Sequence, residues 1–233
     1  MKVDFSPYFE KYEAIVAMAD EAFARVQNEF PESVKCKIKC DDCCYALFDL
    51  TLIEAIYINH QFNKTFKGQE KESLIDKTNR VDRKIHMIKR QAYKDKQAGK
   101  NDVEILVDMA GQRVRCPLLN DAKMCDLYDY RPITCRVYGM PTSIEGTGHT
   151  CGISGFVEGK QYPTINLDII QKKLYEISAE LVGQIKTKYV KMAEILVSLS
   201  MAILTDYDED YLGTADMKKA AEEQGKENDK DIP

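Results

Sequence analysis

The sequence predicts a mainly α-helical protein, in which helices clamp an irregular, cysteine-rich core and a long C-terminal helical arm follows. Three observations predict this class. Apolar residues recur at three- and four-residue spacing over long stretches of the chain, as they do on the buried face of a helix. The eight cysteines all lie between positions 36 and 151. Apolar helical spacing resumes after Pro163 and continues to about residue 204.

Helices are predicted on both sides of the first cysteine group. Pro31 ends the first helix, because proline cannot continue the backbone hydrogen bonding. Asp49 or Thr51 lies near the start of the second helix, and Glu54 lies in its first turns. Gly99 ends the third helix, which is strongly charged. The predicted helices cover residues 4–30, 50–62 and 69–98, and a shorter one is expected within 103–119.

The C-terminal part is predicted to be a helical arm, residues 164–210, packed on a domain formed by residues 1–163. The arm forms one helix or two, and Gly183 is the expected position of a kink. Its apolar stripe has to be buried, either against the N-terminal helix of the same chain or in a homodimer formed through the arm. Residues 211–233 carry charges of both signs and few large apolar side chains, so a disordered tail is expected there.

Composition narrows the classes of function. The net charge of −5 gives no reason to expect a nucleic-acid partner. The first twenty residues lack the apolar segment of a secretory signal. The longest apolar run, residues 195–204, is too short to cross a membrane. We therefore expect a cytoplasmic protein, in which reducing conditions disfavour disulfides.

Four of the cysteines, Cys36, Cys40, Cys43 and Cys44, fall within nine residues. A short loop of this kind brings thiolates together at a small cost in chain entropy. Zinc takes four ligands in a tetrahedron, and an iron–sulfur cluster is also held by four thiolates. The pattern therefore predicts a metal centre of either type. The side chains of the adjacent Cys43 and Cys44 are expected to diverge, so that they serve two centres or one of them does not bind the metal directly.

The other four cysteines, Cys116, Cys125, Cys135 and Cys151, are widely spaced and lack the paired knuckles of zinc fingers. They can be combined with the first group in two ways. Eight thiols divide into two four-thiolate centres, or they form one centre with additional redox or structural partners. The spacing alone leaves both arrangements open.

The residues around Cys135 indicate how its thiolate would be stabilised. Pro132 suits the first position of a helix, which places Cys135 at the end of the first turn. A helix N-terminus stabilises a thiolate, and Arg131 and Arg136 add positive charge beside a centre whose own charge is negative. The alternative for the two arginines is a salt bridge to a nearby aspartate, Asp126 or Asp129.

Three cysteine motifs can be compared with known families. They are C-x3-C-x2-C-C over residues 36–44, Cys116-Pro117, and a block with Cys125, Tyr128, Arg131-Pro132 and Cys135-Arg136. Together they resemble the YkgJ-type cysteine-cluster proteins, which are described as zinc- or iron-chelating; the first spacing is three residues here where two is common there. The resemblance covers residues 36–151 and implies a metal-binding set of Cys36, Cys40, Cys43, Cys44, Cys116, Cys125 and Cys135. Cys151 is added to this set because it lies in a glycine-rich loop and makes the count even.

Two further resemblances bear on activity. Cys36, Cys40 and Cys43 fit the C-x3-C-x2-C triplet of radical S-adenosylmethionine enzymes, in which three thiolates leave one iron open for the cofactor. The alternating strands and helices of the barrel in those enzymes are not predicted here. A flagellin lysine methylase is also similar to the cysteine-cluster group, which would imply methyl transfer.

The sequence therefore predicts a metal-binding protein. One or two iron–sulfur clusters are favoured over zinc, because adjacent cysteines and irregular gaps between cysteines suit a cluster. Such a protein would carry electrons to a redox partner or catalyse a cluster-dependent reaction. The alternatives are a zinc-stabilised structural module that binds another protein, and an iron–sulfur methyltransferase that uses S-adenosylmethionine. The sequence assigns no catalytic residue.

Overall fold

The computed structural model describes residues 3–214, and this part of the chain is mainly helical, as predicted. Within that range the helices are α1 Ser6–Glu29, α2 Leu52–Thr65, α3 Gly68–Gln97, α4 Asp102–Ala110, α5 Ile133–Val137, α6 Leu167–Ile185 and α7 Leu199–Leu204. The strands are short: β1 Asp49–Thr51, β2 Thr142–Ile144, β3 Thr147–His149, β4 Ile165–Asn166 and β5 Leu196–Ser198. Short 3-10 helices occur at Asp42–Tyr45, Tyr128–Tyr130 and Met192–Glu194.

The first three predicted helices are confirmed as α1, α2 and α3, and the shorter fourth as α4. Pro7 lies in the first turn of α1. Its lack of an N–H costs no hydrogen bond there, because the first N–H groups of a helix have no acceptor within the helix. Thr51 and Glu54 form a capping box at the start of α2, with the Thr51 amide donating to Glu54 Oε2 at 3.5 Å. Gly99 follows α3 with a φ of +86°, a left-handed conformation that suits glycine at a helix C-terminus.

The C-terminal arm differs from the prediction of continuous helix. Helix α6 ends at Ile185, because Lys186 adopts the left-handed conformation with a φ of +51°. The chain therefore breaks three residues after Gly183, the predicted kink position. It then forms the 3-10 helix at 192–194 and strand β5, which pairs antiparallel with β1 and sets Leu50 opposite Val197. Both of these residues are buried, so the core holds this stretch as a strand.

The core lies where α1, α2 and α6 pack on one another. Tyr12 of α1, Phe62 of α2 and Leu181 of α6 are each 0% exposed. The apolar stripe of α6 is thus buried against helices of the same chain. Helix α7 packs on α2 and α3, and Ser200 of α7 donates to Asp82 of α3 at 2.8 Å.

A small three-stranded sheet closes the cysteine-rich region, with strand order β3-β2-β4. Its hairpin turns at Glu145 and Gly146, which have φ values of +50° and +77°, as in the turns that match strand twist. The Glu145 amide donates to Asp168 in the first turn of α6 at 2.8 Å. The sheet is thereby joined to the helical part of the molecule.

The predicted tail, residues 211–233, falls mostly outside the described residues. Its first four residues, 211–214, are described and are packed rather than disordered: Leu212 is 1% exposed and Thr214 is 4% exposed. Among residues 3–214, none of the helices combines the length and the apolar character that a membrane-spanning helix requires.

Candidate metal centre

All eight cysteines line one cavity of about 440 Å³, and each carries a free thiol. The cysteines reach it from separate stretches of chain that meet between α1, α2 and α3. The remaining wall is largely apolar and includes Phe23, Ile58, Leu118 and Leu127. The cavity therefore combines eight thiols with a wall in which apolar side chains outnumber polar ones.

The loop that holds the first four cysteines is shaped by two local features. Lys39 adopts a left-handed φ of +70°, and the Cys40 amide donates to Lys37 O at 2.9 Å in the turn before it. The chain then winds into the 3-10 helix Asp42–Tyr45, in which the Cys44 amide donates to Asp41 O at 3.0 Å. This short helix brings the backbone of Cys43 and Cys44 to the cavity wall.

Backbone pairing brings Cys116 and Cys125 to the same place. The Cys116 amide donates to Cys44 O at 2.7 Å, and Ala46 forms a β-bridge with Arg113. Leu119 and Cys125 form a second bridge. The segment that carries Cys116 is thus hydrogen-bonded to the first loop. The segment that carries Cys125 is in turn hydrogen-bonded to the Cys116 segment.

Cys135 lies in α5, a short helix that starts after Pro132. Pro132 occupies the N-cap position rather than the predicted first helical position, and Cys135 is the third helical residue, at the end of the first turn as predicted. Helix α5 packs on α1. The Ile133 amide at its start donates to Glu54 Oε1 at 3.3 Å, so α2 also fixes the position of α5.

The Cys43 thiol is the common neighbour of the Cys44 and Cys135 thiols, and each of the two shifts its titration. Hydrogen bonds from Cys135 and Cys44 lower the pKa of Cys43 to about 3. The Cys135 and Cys44 pKa values are raised because these thiols donate to Cys43 and because they are buried. Cys116 and Cys125 are electrostatic neighbours of the same three thiols. These five cysteines form the inner thiol group.

Cys36, Cys40 and Cys151 form an outer thiol group, in which Cys40 and Cys151 are the thiols that act most strongly on Cys36, ahead of Cys43 of the inner group. Burial raises the pKa of Cys36 to about 12. The Cys151 thiol donates to Asp42 Oδ2 at 3.3 Å. Asp42 is also paired with Arg113 at 2.5 Å, so it joins the first cysteine loop to the segment before Cys116.

The donor set fits a thiophilic metal by its chemistry, since thiolates are the ligands that iron–sulfur clusters and zinc prefer. In the arrangement described for residues 3–214, however, no three His, Cys, Asp or Glu side chains stand where they could hold a metal ion. The thiols share a cavity without converging on one point. Binding of a metal would require changes in their side-chain rotamers.

The two arginines proposed near the centre have different surroundings. Both line the cavity. Arg131 lies over the Tyr128 ring, with its guanidinium carbon 4.0 Å from the ring centroid, and it donates to Tyr128 O at 3.1 Å. Its guanidinium has no carboxylate partner within the part of the chain that the structure describes. Arg131 therefore offers positive charge to the cavity.

Arg136 is bound by protein oxygens. It is 6% exposed, and it pairs with Asp20 of α1 at 2.6 Å. It also donates to Arg131 O at 2.9 Å and to Asp129 O at 2.5 Å. The carboxylate partner is thus Asp20, rather than the predicted Asp126 or Asp129, because α5 packs against α1.

Two residues of the site were missed by the sequence prediction. Glu54 was interpreted only as a helix-start residue, although it is 5% exposed and holds the start of α5. Gly139 was not singled out from the sequence, although a Cβ at this position would collide with Cys36 Sγ. The capping-box spacing could have indicated Glu54, whereas no local signal identifies Gly139.

No protein-family model, no curated protein and no solved structure matches this chain. The resemblance to the YkgJ-type proteins therefore rests on the cysteine motifs alone, and the family remains an interpretation of those motifs. The functional argument below depends on the cavity and its residues.

Proposed function

We propose that this protein binds an iron–sulfur cluster through cysteine thiolates of the cavity. The observation that carries the proposal is the gathering of all eight free thiols, from distant parts of the sequence, around one cavity. Cysteines buried only as small apolar residues have no reason to meet. Thiols that share a site commonly bind metal or form disulfides, and every thiol here is unpaired.

The size of the cavity favours a cluster over a single zinc ion. Four thiolates at about 2.3 Å surround a zinc ion closely and leave no internal space. The cavity here is about 440 Å³, which leaves room for the several iron and sulfide atoms of a cluster. The number of thiols also exceeds the four that one zinc ion takes.

The inner thiol group is the proposed source of ligands. It contains the five thiols of Cys43, Cys44, Cys116, Cys125 and Cys135, one more than a four-iron cluster needs. The Cys44 and Cys135 thiols already neighbour that of Cys43. Changes of rotamer, without refolding of the backbone, are the motion that we expect on binding.

The surroundings would also suit a redox centre. Burial and the local charge set the reduction potential of an iron–sulfur cluster. Leu118 and Leu127 are 2% exposed and limit the access of water. Arg131 supplies a cation that would offset the negative charge of a cluster held by thiolates.

The proposal is tested by comparing Cys125→Ala/Cys135→Ala, which leaves three thiols in the inner group, with the wild type after anaerobic purification. We expect the wild type to contain iron and sulfide in equal amounts. The variant should lose most of both and should be less soluble, since the metal helps to fold the loops around it. Thr150→Ala, at an exposed position beside Cys151, is the control. Wild-type iron and sulfide contents in Cys125→Ala/Cys135→Ala would contradict the proposal, and zinc without sulfide in the wild type would support the zinc-binding alternative instead.

A further inference from the structure

One face of α3 carries a stripe of positive charge. Arg80, Arg83, Lys84, Arg90 and Lys94 are all exposed. At 3.6 residues per turn they lie within about 60° of Met87 around the helix axis, and together they extend over about 21 Å. We call these five residues the α3 basic stripe.

The basic stripe has no carboxylate partner within residues 3–214. Neighbouring lysines differ, since Lys89 pairs with Asp49 at 2.6 Å and Lys96 pairs with Asp102 at 3.3 Å. The stripe is therefore a local concentration of free cations on a chain whose net charge is −5.

An apolar groove lies directly beside the stripe, between α3 and α4. Its volume is about 390 Å³. Five of its lining residues are apolar and four are polar: Met87, Ile88, Ala92, Ile105 and Met109, with Gln91, Asp95, Asp108 and Gln112. Met87 belongs to both features, because it lies at the centre of the stripe and is 60% exposed. Flexible methionine side chains adapt to the shape of a bound partner and are common at binding surfaces.

We propose that the stripe and the groove form a docking site for an amphipathic helix of a partner protein, with apolar residues along one face and carboxylates along its edge. The apolar face would fill the groove between α3 and α4, as helices do in hydrophobic grooves. The carboxylates would meet the five cations of the stripe. This inference is independent of the proposed metal centre.

The charges on α4 favour this partner over a nucleic acid or an anionic membrane. Asp102, Glu104 and Asp108 of α4 lie on the same helical hairpin as the stripe. A phosphate-rich surface broad enough to contact the whole hairpin would meet these carboxylates, and like charges repel. Asp95 and Asp108 line the groove, but they already accept from Gln91 and Lys100. A single helix lying along the groove would place its own carboxylates over the stripe and away from these two residues.

The site is tested with a library of random peptides of about 16 residues, which as helices span about 24 Å. Selection on the full chain should enrich peptides with Leu, Ile or Phe at i, i+3, i+4 and i+7 and with Asp or Glu beside them. Arg90→Glu/Lys94→Glu should weaken the binding of an enriched peptide by about tenfold or more. Met87→Ser should weaken it as well, and binding should fall with rising salt.

The matched control is Lys172→Glu/Lys173→Glu, which reverses two exposed lysines on α6 and should leave affinity within about twofold. Circular dichroism should show the same helix content for every variant, since all four lysines and arginines changed are exposed. The proposal is overturned if enriched peptides are not acidic or bind Arg90→Glu/Lys94→Glu as tightly as the wild type. It is also overturned if short duplex DNA, or vesicles that contain phosphatidylserine, bind the stripe more tightly than the peptides do.

Discussion

The backbone amide of Ile133 donates to the buried carboxyl of Glu54 at 3.3 Å. The contact joins α2 to the start of α5, two residues before Cys135. The Tyr12 hydroxyl, which is fully buried in α1, lies 3.5 Å from the same oxygen. One carboxyl group of α2 therefore connects this helix to α1 and to α5, the helix that carries Cys135.

The stability of the protein should depend on the protonation of Glu54. Burial raises the pKa of this carboxyl from 4.5 to about 7. The folded state therefore holds the proton more tightly than the unfolded state does. The stabilisation that protonated Glu54 gives the folded state is fully present below about pH 4.5 and is lost as the pH rises through about 7. Since a pKa change of one corresponds to about 1.4 kcal/mol, the contribution is about 3 kcal/mol.

Glu54→Gln checks this dependence, because glutamine is neutral at every pH and keeps an oxygen for the Ile133 amide. We expect the variant to become more stable than the wild type as the pH is raised from about 5 to about 8. Denaturant unfolding at both pH values measures the difference. Glu194→Gln, at an exposed carboxylate, should show no such trend. If the free energies of unfolding of Glu54→Gln and the wild type differ by the same amount at both pH values, the raised pKa of Glu54 is refuted.

Arg136 should act as a positioning residue that holds α1 to the loop before α5. Lysine keeps the charge but cannot reach Asp20 and two carbonyl oxygens at once. We expect Arg136→Lys to lower the free energy of unfolding by about 2 kcal/mol. Iron per folded chain should change little at low temperature. A loss of iron without a loss of stability would show instead that Arg136 acts on the cluster itself.

Gly139 should be required for the position of Cys36. A Cβ at Gly139 would collide with Cys36 Sγ and would lie 3.4 Å from Phe23. Gly139→Ala should therefore lower the thermal midpoint and displace Cys36 from the cavity wall. Gly148→Ala is the control, because a Cβ there meets no atom within 4 Å. Equal thermal midpoints and equal thiol reactivity for the two variants would count against this account.

Gly183 should be a site where the protein can be stabilised. It lies inside α6, a Cβ there would meet nothing within 4 Å, and its φ lies outside the left-handed region. Gly183→Ala should raise the free energy of unfolding by about 0.5–1 kcal/mol, since glycine is a poor helix former. Ala179→Gly, one turn earlier in α6, should lower it by a similar amount. Thermal unfolding of the pair measures both effects, and a destabilised Gly183→Ala would show that α6 is strained there.

The sequence predicted α1, α2 and α3 well because each helix has its own apolar face and its own end signals. It failed at residues 186–198, where Tyr189, Met192 and Leu196 continue the helical spacing. Its last three residues, Leu196–Ser198, become strand β5 because they pair with β1, and the pairing is a tertiary contact that local spacing does not contain.

The candidate site was predictable to a similar extent. The clustering of cysteines along the chain indicated which thiols to consider, and they do share a cavity. Their division into an inner and an outer group was not predictable, since backbone contacts such as Cys116 with Cys44 determine it. The role of Glu54 was hidden for the same reason, because its partner Ile133 is 79 residues away in the sequence.

The most direct test of the proposed function is a combined assay of iron, acid-labile sulfide and zinc on one anaerobically purified sample, with a visible spectrum recorded beforehand. The account predicts a brown protein in which iron and sulfide are present in equal amounts. A colourless protein with neither iron nor sulfide would contradict the iron–sulfur proposal, whatever zinc it contains.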